Sequence, residues 1–192
     1  MVNLTRQLGI FIKPALSEQS RNELFESIWR EYQPAMAAFV RSITGLGAQD
    51  VEDLVQEIML KVYSKLHLYN PLRDFKVWIY SIARNHCIDR LRKRAGPSDK
   101  EAEWNDPAGI HLTCAEPNPE EVVIAGELHE IIESYLVTLG SVDRQISFLR
   151  FSERLAYKKI GRILGLPAGT VKYRVHVIRA GLRKLLERYD EK

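Results

Sequence analysis

The sequence predicts an all-α protein built as two small helical domains joined by a flexible linker, and three features carry that reading. Apolar residues recur at steps of three and four in long segments on both sides of the chain. A middle stretch holds Pro97, Pro107, Pro117 and Pro119 with two glycines and shows no period. The charges are segregated: residues 98–133 carry ten acids against Lys100 alone, whereas residues 144–188 carry twelve lysines or arginines against Glu153 and Glu187. With 192 residues, 45% of them apolar and 28% charged, the chain is long enough for one or two cores. The expected organisation is an N-terminal extension over 1–20, a first domain over 21–95, an acidic proline-rich linker over 96–122, and a second domain over 123–192.

The amino terminus offers no membrane signal, because its longest apolar run, Leu8 to Ile12, stops at Lys13 and Pro14. A cytoplasmic protein without membrane insertion is therefore expected. Cys87 and Cys114 are too few for a disulfide framework.

In the first domain, ELFESIWREYQPAMAAFVRSITG places Leu24, Phe25, Ile28, Trp29 and Tyr32 at helical spacing, with Pro34 predicting a kink or a break. The next helix, DVEDLVQEIMLKVYSKL, buries one face through Val51, Leu54, Val55, Ile58, Met59, Val62, Tyr63 and Leu66. Asp50 stands where an N-cap is expected. The opposite face displays Glu52, Asp53, Gln56 and Glu57, a row that is either ordinary solvated surface or an edge for docking a protein. After the turn at Asn70 and Pro71, a third helix carries Phe75, Trp78, Ile79 and Ile82 in one stripe, with Arg84 and Arg92 pointing away and RLRKR closing the segment. Trp78 alone reads as core. Aromatics interleaved with cations also suit single-stranded nucleic acid, since bases stack on rings while cations hold phosphates.

The second domain reads as a helix-turn-helix. Tyr157 to Leu164 forms a first helix, Gly165 is the turn glycine, and Gly169 and Thr170 open the second helix. Val171, Val175 and Ile178 face inward, leaving Lys172, Tyr173, Arg174 and His176 outward, where a major groove would meet them. Arg179, Arg183 and Lys184 lie further along, suited to phosphates or to a protein partner.

DVEDLVQEIMLKVYSKL, the F-x-x-W of FKVW, and IARNHCIDRLRKR resemble region two of bacterial sigma factors of the extracytoplasmic-function group. LGSVDRQISFLRFSERLAYKKIGRILGLPAGTVKYRVHVIRAGLRKLL resembles their region four without a gap. The resemblance implies binding to core RNA polymerase through Asp53, Gln56 and Glu57. It also implies minus-ten recognition and melting, with capture of a non-template base, by Tyr69, Trp78, Ile82 and Asn85. Arg84, Arg90 and Arg92 would steer phosphates there. Duplex minus-thirty-five DNA would be read by Thr170, Lys172, Tyr173, Arg174, His176 and Arg179. An anti-sigma factor is a further implied partner. The charge pattern adds that the two basic lobes could fold back on each other, or be clamped by such a partner, hiding both DNA surfaces.

The chain departs from the family pattern at Lys158, Lys159 and Gly161, where an acidic pair and an alanine are usual, and at Tyr173, Val177, Asn70 and Pro71. Its base-reading side chains are thus its own. No enzymatic activity, cofactor or metal is expected: Asp50, Asp53 and Glu57 lack a second carboxylate cluster or general base, and His111 and Cys114 lack a second ligand pair. The competing reading, a helix-turn-helix regulator that binds DNA without polymerase, explains residues 139–188 and leaves the first domain without a task.

Overall fold

The computed structural model describes residues 18–95 and 122–190. The expected extension up to residue 17 and the expected linker through residue 121, with His111 and Cys114, lie outside the described residues. Every described regular element is helical: α1 (Glu18–Thr44), α2 (Ala48–Lys65), a 3-10 turn (Leu66–Leu68), α3 (Phe75–Ala95), α4 (Val122–Thr138), α5 (Ser141–Ser147), a π-helical turn (Phe148–Ser152), α6 (Tyr157–Leu164) and α7 (Ala168–Asp190).

α1 buries Leu24, Ile28, Tyr32, Met36, Phe39, Val40 and Ile43. It runs unbroken through Pro34, which is exposed. The carbonyl that loses its partner there can be satisfied by water, so the predicted break does not occur. The helix stops where Gly45 turns left-handed, at φ 66°, and its N–H bonds the Arg41 carbonyl. α2 starts at Ala48 behind a Gly47 cap, so Asp50 sits in the first turn rather than at the N-cap as expected. An acid in either place faces the positive end of the helix dipole, which is why the sequence signal is the same.

The second lobe begins with α4, tied to α7 by the Tyr135 hydroxyl donating to the Ile178 carbonyl at 3.1 Å. The helix-turn-helix follows the sequence reading closely. α6 spans Tyr157–Leu164, Gly165 adopts φ 71°, and Ile160, Leu164, Val171, Val175 and Ile178 are buried. Gly161 is required by a close approach: a β-carbon there would lie 2.4 Å from the Leu166 carbonyl oxygen.

The lobes do not stand apart. α3 packs on α6 at least as extensively as on its own neighbours, and α1 packs on α5. Phe148, from the π-helical turn, meets Phe39 and Tyr80 at ring separations of 5.5 and 5.9 Å. The buried apolar residues of both lobes form one contiguous cluster.

Candidate polymerase and nucleic-acid interfaces

Three surfaces collect the residues singled out from sequence. The first is the outer face of α2. Asp53 and Gln56 are exposed there, and Leu60, one turn on, is 66% exposed. Leu60 was missed from sequence, although its spacing of four from Gln56 puts an apolar side chain in a polar row. Glu57 is differently placed: its Oε2 lies 2.7 Å from His86 Nε2 and its Oε1 3.3 Å from Arg90 Nη2. Asp50 meets Arg94 at 3.6 Å. The acidic helix α2 is thereby tied to the basic end of α3. Among the described residues no group of three metal-ligating side chains comes together.

The second surface is on α3. Asp74 caps the helix, its Oδ1 accepting from the Val77 N–H at 3.1 Å. Trp78, Ile82 and Asn85, spaced by four and three, form one stripe; Asn85 is exposed and the other two are half-buried. Tyr69 was expected on this stripe and lies beneath it instead. Its ring is 4% exposed, 5.1 Å from Trp78 and 5.2 Å from Phe75, and its hydroxyl donates to the Arg73 carbonyl. Tyr69 can therefore brace Trp78 but presents no ring to DNA. Leu68 and Leu72, in the turn and loop that lead into α3, are 67% and 93% exposed and carried no periodic signal that would have found them.

The arginines divide. Arg92 is on the surface, paired only with Asp89 three residues away, an exposed pair of the kind that contributes little and yields readily to a phosphate. Arg90 is engaged with Glu57. Arg84 points away from Trp78 into a cleft between the lobes, where its Nε has no hydrogen-bond partner. Cys87 is buried in the same helix, and burial pushes its thiol up to about 12, so it stays a protonated core residue at neutral pH.

The third surface is the outer face of α7. Lys172, Tyr173, His176, Val177 and Arg179 are exposed, with Thr170 half-buried at the start. Arg179 lies over the Phe151 ring at 5.5 Å. Arg174, expected outward with them, is turned toward α5 and bonds Asp143 at 2.8 Å. The i+2 offset from Lys172 carries it about 200° round the helix, so it cannot share that face.

An acidic helix beside an aromatic-and-amide stripe, with a helix-turn-helix in a second lobe, is an arrangement suited to a DNA-binding transcription factor. Residues 28–96 match the model of sigma-70 region 2. The chain is 33% identical over 141 residues to the extracytoplasmic-function (ECF) RNA polymerase sigma factor SigW of Bacillus subtilis, covering 71% of this chain and 75% of that one. It is 29% identical over 171 residues to the ECF sigma-E factor of Escherichia coli K12, covering 86% and 87%. Among solved structures, it resembles the sigma factor RpoE in complex with the anti-sigma factor NepR from Bartonella quintana, with TM-score 0.62, 24% identity and coverage of 85% and 96%. It also resembles CnrH in complex with the cytosolic domain of CnrY, with TM-score 0.57, 20% identity and coverage of 96% of each chain. The chain belongs to the ECF group of RNA polymerase sigma factors. It is a transcription initiation factor that partners core RNA polymerase, and it is not an enzyme. No described helix is long and apolar enough to cross a membrane.

Proposed function

We propose that the three surfaces divide the work of promoter-specific initiation. Asp53 and Gln56, with Leu60, dock on core polymerase; Glu57 contributes by fixing α2 to α3 through His86 and Arg90. Trp78, Ile82 and Asn85 engage the melted minus-ten element, Trp78 and Ile82 offering a stacking face and Asn85 an amide for a base edge. Unstacking a base costs a few kcal/mol, which such contacts can offset. Arg90 and Arg92 add positive charge along the same helix. Lys172, Tyr173, His176 and Arg179, entered from Thr170, read the minus-thirty-five duplex, while Arg174 orients the helix through Asp143. The domain division at the segment between α3 and α4 goes with this split, since minus-ten and minus-thirty-five contacts fall on either side of it. Because one similar solved structure is a complex with an anti-sigma factor, such an inhibitor is the natural regulator of this chain, acting in the cytoplasm where transcription takes place.

The observation that carries the reading is the Trp78–Ile82–Asn85 stripe: it is partly exposed, packed from below by Tyr69 and Phe75, and offers the ring and the amide that an unstacked base needs. In vitro transcription with purified core polymerase tests it. Promoter-specific initiation should be lost on Asp53→Ala with Gln56→Ala while DNA binding by the free chain persists. Duplex binding with no initiation by the wild-type chain would overturn it.

A further inference from the structure

The outer face of α7 carries two surfaces of different chemistry. At about 100° per residue, Lys172, His176, Arg179 and Arg183 fall in one sector of the helix, all exposed. Thr170, Tyr173 and Val177 fall in a second sector, roughly 120° further round. The buried Val171, Val175 and Ile178 fill the third. Tyr173 is 68% exposed and Val177 48%, an apolar pair spaced by four near the start of the second helix of the helix-turn-helix. Packing of the two lobes leaves this pair open, contrary to the expectation from the charge pattern that folding back would hide it, because the second lobe meets the first chiefly through α5 and α6.

The side chains of α7 limit which bases it can tell apart. In the major groove adenine is read by Asn or Gln, cytosine by Asp or Glu, guanine by Arg or Lys, and thymine by apolar contact with its C5-methyl group. Between Ala168 and Asp190 there is no Asn or Gln, and the first acid is Glu187, close to the C-terminal end. Arg174 is already engaged by Asp143 at 2.8 Å. Two readers remain: a cationic sector that can follow phosphates or meet guanine, and an apolar sector whose counterpart on a base edge is a methyl group. The cations that run beside the apolar pair favour a polyanion over a protein as its occupant. A rise of about 1.5 Å per residue sets Tyr173 and Val177 roughly 6 Å apart along the helix axis, close to two base-pair steps of about 3.4 Å.

We propose that Tyr173 and Val177 are specificity-determining residues that pack on the C5-methyl groups of two thymines, about two base-pair steps apart, in the minus-thirty-five element. The proposal rests on the sigma-factor reading of this helix and names the base that the reading left open. Both positions are departures from the family pattern, so the preference is a property of this chain. Burying one methyl against an apolar side chain strengthens binding about fourfold, and two methyls about 15-fold.

The test uses the full chain bound to core polymerase, selecting from duplexes of random sequence long enough to carry both promoter elements. The selected minus-thirty-five elements should share two thymines, on either strand, about two steps apart. Replacing each thymine by deoxyuridine removes only its methyl group and should weaken binding by the wild-type chain about fourfold per site. Val177→Ala should make binding indifferent to deoxyuridine at one site and Tyr173→Ala at the other; both positions are exposed, so the core is untouched. Val177→Arg, carried through the same selection, should exchange thymine for guanine at its site. Selected elements without the thymine pair, or wild-type binding indifferent to deoxyuridine, overturn the proposal. Weaker binding of Tyr173→Ala and Val177→Ala to core polymerase without DNA overturns it in favour of a protein contact. No enrichment of any sequence and no core-dependent initiation by the wild-type chain overturn the sigma reading itself, and the base preference with it.

Discussion

The two surfaces proposed to face DNA are built on opposite principles. On α3, Trp78 is held from beneath by Tyr69 and Phe75, with ring separations of 5.1 and 5.5 Å, and the stripe is rigid because the core of the first lobe makes it so. On α7, the outward side chains Lys172, Tyr173, His176 and Arg179 are exposed, with Arg179 lying over the Phe151 ring. A wedge between bases must be in place before it meets them, since ordering it at that moment would add to the cost of unstacking. Cations that follow phosphates work equally well when they are loosely held, because the attraction is long-ranged and non-directional. Preorganisation is therefore concentrated on the surface proposed to melt the minus-ten element.

The largest effect should come from removing the wedge. Trp78→Ala loses a stacking platform of about 1–3 kcal/mol, roughly a 5- to 150-fold loss in open-complex formation. Affinity for core polymerase and for the minus-thirty-five duplex should stay near wild type. Permanganate reactivity of minus-ten thymines measures it, and undiminished melting would remove Trp78 from the mechanism. A second large effect tests the scaffold of the other surface. Gly161→Ala gains helix propensity of up to about 1 kcal/mol but drives a β-carbon to 2.4 Å from the Leu166 carbonyl, an overpacking that costs about 1–3 kcal/mol. Net destabilisation should lower the melting temperature by a few degrees. A rise in melting temperature would mean that the α6–α7 turn relaxes at no cost.

Legibility in the sequence followed the range of the interactions. The helix-turn-helix could be read to the residue at Tyr157–Leu164 and Gly165, because a left-handed glycine and an apolar 3–4 period are local signals. The buried face of α2 was legible for the same reason. Asp50 was misplaced by a few residues because first-turn and N-cap acids look alike, and Pro34 was overweighted because sequence does not show that its ring faces water. Tyr69 and Arg174 were assigned to surfaces they do not occupy. Tyr69 is held by Phe75 and Trp78 across a turn, and Arg174 by Asp143, 31 residues away. The unusual Lys159 was visible as a departure from the family pattern, but its partner Asp74 is 85 residues distant and no spacing rule connects them.

Smaller effects sharpen the contrast on α7. Lys172→Ala should weaken duplex binding by a similar factor on every sequence and lower the salt dependence by about one counterion. Arg174→Ala should change the salt dependence less, since its guanidinium is already engaged by Asp143 at 2.8 Å. Equal slopes for the two variants, measured by titrating binding against salt, would show that Arg174 leaves Asp143 when DNA arrives.

The smallest expected effect concerns acid. Burial pushes the Asp74 carboxyl upward, but hydrogen bonds from Lys159 and from the Val77 and Lys76 amides, together with the Lys159 charge, outweigh it and hold the group below its ordinary value. With the native value depressed, the stabilisation from this group is complete above the unfolded carboxylate pKa of about 3.9 and is lost as pH falls through the native one. Closure of the lobes should then be flat between pH 5 and 8 and loosen only below about pH 4. Energy transfer between fluorophores at exposed Lys61→Cys and Arg162→Cys, in a chain carrying Cys114→Ser, reads this out, and Lys159→Met should remove much of the acid dependence because the main donor to Asp74 is gone. A transition near pH 6 in the wild-type chain would show that closure is governed by a group other than Asp74.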